Sequence, residues 1–455
     1  METLYQKTKI ISRVKKYFLP YIEMLTKPSG HKLFLLLIAL LSMQAVTSIQ
    51  HIYKWFLAPL SKISQNAYYY LLTYSKIPID KFARVTLCKA ISLISNRFKN
   101  LPVLLLIDDT LQAKFGTKFE CYSKMFDHAQ HNGSSYLSGH CFVALAVCVP
   151  VTVENTIKYL TVPIWFRLRG ADDNKLTIAS EMIRDAMKTL ADIPTVILLC
   201  DSWYPKGEVI KTVESYENLD LIANVRVDTV LYDLPQSILT AGQSRKRGRP
   251  AKKGGKLSIY NDFSFTEIGK YFIAARTVMT NLFKNPVYMT VTTTNIDIHK
   301  GYRLFLSTIA YEKLYASFSS YEQTSKSEIF ANDSARFAWL LPLGFYSLRW
   351  NIEVMFYEFK TFWSFGNYML RSKRGIENFV NLLSISYACT KLIPFADEFF
   401  SDFSLFSTQT TKYALGEAIR KDLFFAQFVD FLETRHISLE ILHDFDIYDF
   451  FVHSS

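Results

Sequence analysis

Four polar side chains near the C-terminal third of the chain have types and spacing that suit phosphate chemistry. Residues 346–360 read YSLRWNIEVMFYEFK, with no Gly or Pro to interrupt a helix. At about 100° per residue, one helix would bring Tyr346, Arg349, Glu353 and Lys360 within an arc of about 60°. A carboxylate can hold a divalent metal, Arg and Lys can bind phosphate, and Tyr can hydrogen-bond to it. The alternative is a surface helix whose charges pair at i,i+4 and i,i+7.

Two apolar runs upstream each end in aspartate. Residues 101–107 (LPVLLLI) precede Asp108 and Asp109, and residues 196–200 (VILLC) precede Asp201. Each run predicts a strand buried on both faces, with a carboxylate where the strand emerges from the sheet. Catalytic groups often occupy this place in α/β sheets, although aspartates also end strands and cap helices for structural reasons. Adjacent strand residues point to opposite faces, so only one of Asp108 and Asp109 can aim at a shared site.

These three segments together resemble the bacterial insertion-sequence transposases of the DDE type, the cut-and-paste group with a Y-x2-R-x3-E-x6-K signature. The resemblance includes RWNIE at residues 349–353, LCDSWY at residues 199–204, and DDT followed by Lys114, Gly116 and Lys118. It implies a catalytic and metal-binding triad of Asp108, Asp201 and Glu353. Asp109 is the alternative to Asp108, which is preferred because the second position of the pair can be Glu in similar sequences.

Three acids suit phosphodiester cleavage because two metal ions can activate water and stabilise the leaving oxygen. The resemblance implies two Mg²⁺ ions per active site, with Mn²⁺ as a substitute. Tyr346, Arg349 and Lys360 would bind DNA phosphates near the cut end. The implied partners are double-stranded DNA, as terminal inverted repeats and as target, and a second copy in a homodimer on paired ends. A hairpin intermediate at the ends is implied by the resemblance alone.

Composition agrees with a polyanionic partner and favours a folded enzyme. The chain has 455 residues, 49% hydrophobic content and a net charge of +11, which suits phosphate binding through counterion release. The six cysteines show no CxxC spacing and read as reduced thiols of a cytosolic protein. Leu33 to Leu41 is apolar but too short to span a membrane, so it predicts a buried helix. We expect a bacterial cytoplasmic protein, nucleoid-associated when bound to DNA.

The predicted fold class is α/β: a ribonuclease-H-like catalytic core interrupted by a β-rich insertion, with an N-terminal helical domain. Strands are predicted at 101–107, 142–149, 160–166 and 196–200, and a helix at 175–190. The predicted domains are 1–98 (helical, DNA-end-binding or only packing), 99–222 (first part of the catalytic domain), 223–335 (β-rich insertion), 336–397 (core helices with Glu353) and 398–455 (C-terminal helical appendage).

Two further groups of residues are weaker candidates. Residues 245–256 form a basic, Gly- and Pro-containing loop that is either solvated or bound to DNA, with DNA-binding candidates Arg245, Lys246, Arg247 and Arg249. The histidines His128, His131 and His140 lack zinc-site spacing, so a loop and strand start near the sheet is favoured over a metal site.

Three other functions remain open at this point. A domesticated or inactive relative would bind DNA without cutting, and a metal-dependent nuclease on the same fold would cut without strand transfer. A membrane-associated protein anchored through Leu33 to Leu41 is the third. Paired-end joining separates the nuclease from the transposase, and partition after lysis tests the membrane alternative.

Overall fold

Helices form both ends of the described part of the chain, and most strands lie between them. The computed structural model describes residues 9–116, 118–127, 135–235, 251–322 and 337–434. The α-helices are α1 (Lys9–Ile22), α2 (Lys27–Ser42), α3 (Ile49–Ile52), α4 (Ala58–Leu60), α5 (Gln65–Thr73), α6 (Ile79–Ile91), α7 (Lys175–Thr189), α8 (Gly207–Val213), α9 (Tyr311–Glu322), α10 (Leu341–Ser347), α11 (Trp350–Phe362), α12 (Lys373–Ala396) and α13 (Thr408–Thr434). A π-helical turn covers Tyr53–Leu57, and 3₁₀ segments cover Asn96–Phe98, Ala338–Leu340 and Glu398–Leu405. The strands are β1 (Val103–Ala113), β2 (Ser123–Phe126), β3 (Tyr136–Val153), β4 (Thr156–Leu168), β5 (Val196–Cys200), β6 (Leu219–Val225), β7 (Leu231–Tyr232), β8 (Lys256–Leu257), β9 (Thr266–Ile268), β10 (Tyr271–Thr280), β11 (Val287–Thr293) and β12 (Arg303–Ser307).

Within the described residues the strands form one 12-stranded mixed sheet. Neighbouring strands follow the order β2-β3-β1-β5-β6-β12-β11-β10-β7-β8, with β4 paired to β3 and β9 to β10. β5 pairs parallel with both β1 and β6, and β3 runs antiparallel to β1. Every residue of β5 is buried, as expected for a central parallel strand covered on both faces. The mixed α/β class that the sequence predicts is confirmed.

Strand β1 is longer than its apolar run, and both aspartates lie within it. The parallel pairing with β5 ends where Ile107 lies opposite Cys200. The antiparallel pairing with β3 continues through Asp108 and Asp109 to Ala113. The prediction that the strand ends before the aspartates is wrong, because β3 extends far enough to supply hydrogen bonds to the polar part of β1.

The strands beyond β6 continue the same sheet. β12 pairs antiparallel with β6, with Leu304 opposite Val225, and β11 and β10 follow in turn. The sequence-based domain boundary at residue 223 therefore falls inside β6 (Leu219–Val225). Hydrogen bonding thus connects the predicted insertion to the strands that carry the aspartates.

Residues 346–360 form two helices rather than one. α10 ends at Ser347 and α11 begins at Trp350. Across the junction, backbone amides donate to carbonyls three residues back, so the chain turns more tightly than an α-helix. Tyr346 therefore belongs to α10 and Arg349 is the N-cap of α11. The prediction of a single helix carrying all four polar residues is wrong.

Two apolar helices are buried in the molecule. Among the described residues one helix, α12, is long and apolar enough to cross a membrane, but 83% of its most apolar window is buried. It packs on β4, α2, α5 and α13, which is typical of a core helix. In α2 every residue from Leu33 to Ser42 is buried. The prediction of a buried helix over Leu33 to Leu41 is confirmed.

The helix α13 returns to the N-terminal helices. Its Asp422 accepts hydrogen bonds at 3.1 Å from the backbone amides of Ile10 and Ile11, in the first turn of α1. Arg420 donates to the carbonyl of Ser42 at the end of α2, at 3.1 Å. The predicted N-terminal and C-terminal units thus pack against each other.

Candidate active site

Asp108 and Asp201 lie where two parallel strands stop pairing. Asp201 follows β5 directly, and Asp108 follows Ile107, the last residue of β1 paired with β5. The pKa of Asp108 is raised to about 8, first by burial and then by the negative charge of Asp201. Burial also raises the pKa of Asp201. Because burial and mutual repulsion oppose two negative charges in this place, the pair would gain from a bound cation.

Asp109, next to Asp108 in sequence, has a cation of its own. Lys175 Nζ lies 3.0 Å from both carboxylate oxygens of Asp109, and the Tyr204 hydroxyl donates to Oδ1 at 2.9 Å. Lys175 is the first residue of α7, whose N-cap is the side chain of Asn174. Asp108 and Asp109 line the same cavity, so position alone does not distinguish them. Their charge does, because Asp109 is neutralised by Lys175.

Arg349 connects the aspartate pair to Glu353. Its Nη1 lies 3.2 Å from Asp108 Oδ2, and its Nη2 lies 2.5 Å from Glu353 Oε1. The guanidinium carbon is 5.7 Å from the centroid of the Tyr346 ring. Burial raises the pKa of Tyr346 to about 12. The structure thus brings the predicted residues Asp108, Glu353 and Tyr346 together around Arg349.

The guanidinium of Arg349 is not fully satisfied in this place. Its Nε is buried and has no hydrogen-bond partner within the described residues. An unpaired buried N–H costs about 1–3 kcal/mol, so the arginine gains from an additional acceptor. A phosphate oxygen is such an acceptor, because it binds guanidinium in a bidentate geometry.

An open cavity of about 950 Å³ lies in front of the aspartates. Asp108, Asp109, Asp201 and Lys360 line it, whereas the described side chains of Glu353 and Arg349 do not belong to its wall. Other polar residues of the wall are Lys124, Asp127, Arg169, Asp172, Asp173, Asn174 and Lys175. The pKa of Lys360 is lowered by burial, although the charge of Asp127 opposes the shift. Carboxylates and cations thus meet in one space of the size of a ligand site.

Trp203 is a wall residue that the sequence did not single out. Its ring lies 4.5 Å from Lys175 Nζ and 4.8 Å from Lys206 Nζ, measured to the ring centroid. Both distances suit cation–π contacts, so the indole holds two ammonium groups. The available signal was the pair Trp203 and Tyr204, two and three residues after Asp201. Nothing in the sequence indicates that Lys175 reaches Asp109.

The carboxylates fit a divalent cation only in part. Asp108 and Asp201 are oxygen donors of the kind that Mg²⁺ and Mn²⁺ prefer, and burial raises the pKa of both. No group of three His, Cys, Asp or Glu side chains in the described ranges converges closely enough to hold a metal ion. The Glu353 carboxylate is instead bound by Arg349. The aspartate pair fits, and Glu353 can join it only by leaving the arginine.

The remaining candidates lie away from this site or outside the described residues. Outside them fall Arg245, Lys246, Arg247 and Arg249, together with His128 and His131. His140 lies on β3, with Nδ1 2.6 Å from the Tyr368 hydroxyl and Nε2 3.0 Å from the carbonyl oxygen of Glu120. Burial lowers the pKa of His140 to about 4, so the ring is neutral at physiological pH. His140 is a buried structural residue.

A family model described as DDE superfamily endonuclease matches residues 21–264, which is more than half of the chain. The matched range contains Asp108, Asp109 and Asp201 and ends before Glu353. No curated protein matches the chain.

Proposed function

From the premise that the chain belongs to the family of DDE superfamily endonucleases, we propose that it is a DNA transposase. It binds the terminal inverted repeats of its element, cuts each end with water and joins the freed 3′-hydroxyl to target DNA. The observation that carries this proposal is the half-buried pair of Asp108 and Asp201 where two parallel strands stop pairing. Arg349 binds both Asp108 of this pair and Glu353.

The catalytic core of this proposal is a ribonuclease-H-like fold. The spatial order β4-β3-β1-β5-β6 supports it, because β1 lies between an antiparallel and a parallel neighbour. The helix α7 links β4 to β5 along the chain. The strands between β6 and α10 then form the β-rich insertion, joined to the core through the β6–β12 pairing.

The proposed metal ligands are Asp108, Asp201 and Glu353, holding two Mg²⁺ ions or Mn²⁺ in their place. When bound, the ions supply acidified water and stabilise the leaving 3′-oxygen. The raised pKa of Asp108, caused by burial and then by the charge of Asp201, supports its choice over Asp109, whose carboxylate is paired with Lys175. Asp109 then holds Lys175 and Tyr204 in place beside the site.

The cations of the site bind the DNA backbone in this proposal. Arg349 exchanges its carboxylate partners for a phosphate of the cut end, which also satisfies its buried Nε and releases Glu353. Lys360 binds a second phosphate from the cavity wall, and Tyr346 orients the guanidinium. Arg245, Lys246, Arg247 and Arg249 add backbone contacts, for which the net charge of +11 is the support.

The protein acts in the bacterial cytoplasm as a homodimer on paired ends, with the helices of residues 1–98 contributing to end binding. The test is incubation of purified protein with the DNA that flanks its own gene, with Mg²⁺ or Mn²⁺. Asp201→Ala is the inactive variant, and Asp172→Ala is the matched control because Asp172 lines the same cavity outside the proposed ligand set. We expect the wild type and Asp172→Ala to cut the repeat ends in a metal-dependent way, and we expect no cuts by Asp201→Ala.

Each other outcome points to a different function. Cutting without joining of the ends to target DNA indicates a nuclease on the same fold. Binding of the ends without cutting indicates a relative that has become a DNA-binding protein. Absence of both binding and cutting contradicts the assignment to DNA.

A further inference from the structure

The chain makes an abrupt turn directly after α11. Phe362 is the last residue of the helix, Trp363 is its C-cap, and Ser364 has a positive φ of 57°. Positive φ is uncommon for a residue other than glycine, so contacts around the turn have to hold it. One contact is the hydrogen bond from the Val46 amide to Ser364 Oγ, at 3.0 Å. The end of α11 is thereby attached to the loop that follows α2.

Lys412 reaches this turn from α13. The residue is buried, with 3% of its surface exposed. Its ammonium donates to the carbonyl of Phe362 at 2.8 Å and lies 4.4 Å from the centroid of the Trp363 ring. The last carbonyls of an α-helix have no partner within the helix and carry its negative dipole end, where a cation is favourable. Lys412 therefore caps the C-terminal end of α11.

Lys114 reaches the same turn from the end of β1. Its ammonium donates to the carbonyls of Gly366 at 2.5 Å and Tyr368 at 2.7 Å. It also lies 3.7 Å from the centroid of the Tyr368 ring. A Cβ on Gly366 would lie 2.2 Å from Nε2 of Gln112, so the turn packs directly against β1. Lys114 begins the segment Lys114-Phe115-Gly116 after the aspartates, to which the proposed chemistry assigns no role.

Two buried ammonium groups without a carboxylate are costly. In the described part of the chain neither lysine forms an ion pair, and burial lowers the pKa of both to about 8. A buried charge is tolerated when its hydrogen bonds are replaced, whereas an apolar side chain would fill the same space without that cost. We therefore read the carbonyls at the end of α11 and in the turn after it as the groups that these two lysines hold.

The opposite end of α11 has an attachment that can be exchanged. There Arg349 binds Asp108 and Glu353. A metal ion would compete with Arg349 for the two carboxylates, and a phosphate would compete with the carboxylates for Arg349. The carbonyls held by Lys114 and Lys412 have no such competitor, because they are uncharged and the lysines are buried. When Arg349 changes partners, the C-terminal attachment is the one that keeps α11 in register.

Resting on the transposase function proposed above, we propose that Lys114 and Lys412 are positioning residues for cleavage. They form a clamp on the turn after α11, which fixes the rotation and height of the helix and thus the places of Glu353 and Lys360. A helix that slips by one residue rotates its side chains by about 100°, which would turn both groups away from the aspartates. Through Lys412, α13 takes part in positioning these catalytic groups.

The experiment compares Lys412→Met and Lys114→Met with two controls that remove a lysine of the same element or motif. The controls are Lys421→Met, whose lysine pairs with Glu417 on the surface of α13, and Lys118→Met, whose lysine is exposed. The readouts are the dissociation constant for end DNA, the nicking rate at saturating DNA, and amide hydrogen exchange of residues 360–368. We expect the clamp variants to lose about 100-fold in nicking rate, as a misplaced catalytic group does, with a much smaller loss of DNA affinity from the displaced Lys360. Their exchange rises in residues 360–368, and both controls resemble the wild type.

Rescue distinguishes positioning from general stability. Lys412→Arg keeps the charge and the hydrogen-bond donors, so it should recover most of the rate that Lys412→Met loses. Normal rates in both methionine variants, or unchanged exchange in residues 360–368, overturn the clamp. A wild type that does not cut DNA refutes the transposase function, while raised local exchange in the variants still supports the clamp.

Discussion

The two ends of α11 are both attached by cations, but the attachments differ in kind. At the N-terminal end, Arg349 binds two carboxylates beside an open cavity and leaves its Nε without a partner. At the C-terminal end, Lys114 and Lys412 are buried and bind neutral carbonyls and aromatic rings. The ion pairs that a ligand can displace thus lie at the N-terminal end of the helix. At the C-terminal end, the two lysines keep their carbonyl partners.

The difference shows how an enzyme can separate reactivity from support within a single helix. A buried pair of carboxylates is unfavourable for folding but favourable for binding a metal ion. Such a site can be retained when the elements that carry it are held by contacts that ligand binding does not disturb. The following variants test the comparison, from the largest expected effect to the smallest.

Glu353→Gln should have the largest effect because it removes a proposed metal ligand while keeping the volume of the side chain. We expect cutting to fall below detection and the affinity for end DNA to stay near that of the wild type. Gel-shift and cleavage assays on the same DNA measure both quantities. Glu358→Gln is the matched control on the same helix. Cutting by Glu353→Gln at the wild-type rate would show that the proposed triad is wrong.

Asp108→Asn and Asp109→Asn should differ in both activity and stability. Asp108→Asn abolishes cutting and raises the melting temperature of the metal-free protein at neutral pH, because burial raises the pKa of Asp108 and the amide carries no charge to bury. Asp109→Asn lowers the free energy of unfolding by about 1–3 kcal/mol, because the half-buried Lys175 loses its ion-pair partner. Cleavage assays and thermal unfolding separate the two. Equal, mild effects on cutting would remove both residues from the metal site.

Arg349→Gln should strengthen binding of Mn²⁺ by the DNA-free protein, because Asp108 and Glu353 lose the cation that competes with the metal. The same variant should bind end DNA more weakly. Titration calorimetry of the metal-free protein with Mn²⁺ measures the first effect, with Arg374→Gln as a control. Weaker Mn²⁺ binding by Arg349→Gln would mean that the arginine organises the carboxylates for the metal instead of competing with it.

The smallest expected effect is a pH dependence of stability. The pKa of Asp108 is about 8 in the folded protein against 3.8 as its usual value, so the folded state binds more protons between these two pH values. Stability of the metal-free protein therefore falls as pH rises through that window. Thermal unfolding between about pH 5 and pH 8 should show this slope, and Asp108→Asn should flatten it. An unchanged slope in the variant would assign the effect to other groups.

Local sequence signals predicted the elements around the aspartates well. The apolar run at residues 196–200 gave β5 with the bounds that the structure has, Val196–Cys200. The end of β1 could not be read in this way, because its polar half is ordered by pairing with β3 and not by its own hydrophobicity. The break between α10 and α11 was hidden for a similar reason, since its residues all permit a helix.

Long-range contacts of charged residues were the part that the sequence concealed. Lys412 lies in a helix whose pattern of charges looks solvated, yet its ammonium binds a carbonyl 50 residues earlier. Lys175 reaches Asp109 across 66 residues of chain. Both pairings follow from which strand lies beside which helix, and periodicity within one segment carries no information on that.

The return of α13 to the N-terminal helices has a consequence for synthesis on the ribosome. The hydrogen bonds from Ile10 and Ile11 to Asp422 span 412 and 411 residues. At translation rates of about 5–20 residues per second, α1 waits roughly 20–80 s for the side chain that caps it. The helix α1 therefore gains its cap only after α13 has been synthesised, and a nascent chain released before α13 lacks both the cap of α1 and one half of the clamp on α11.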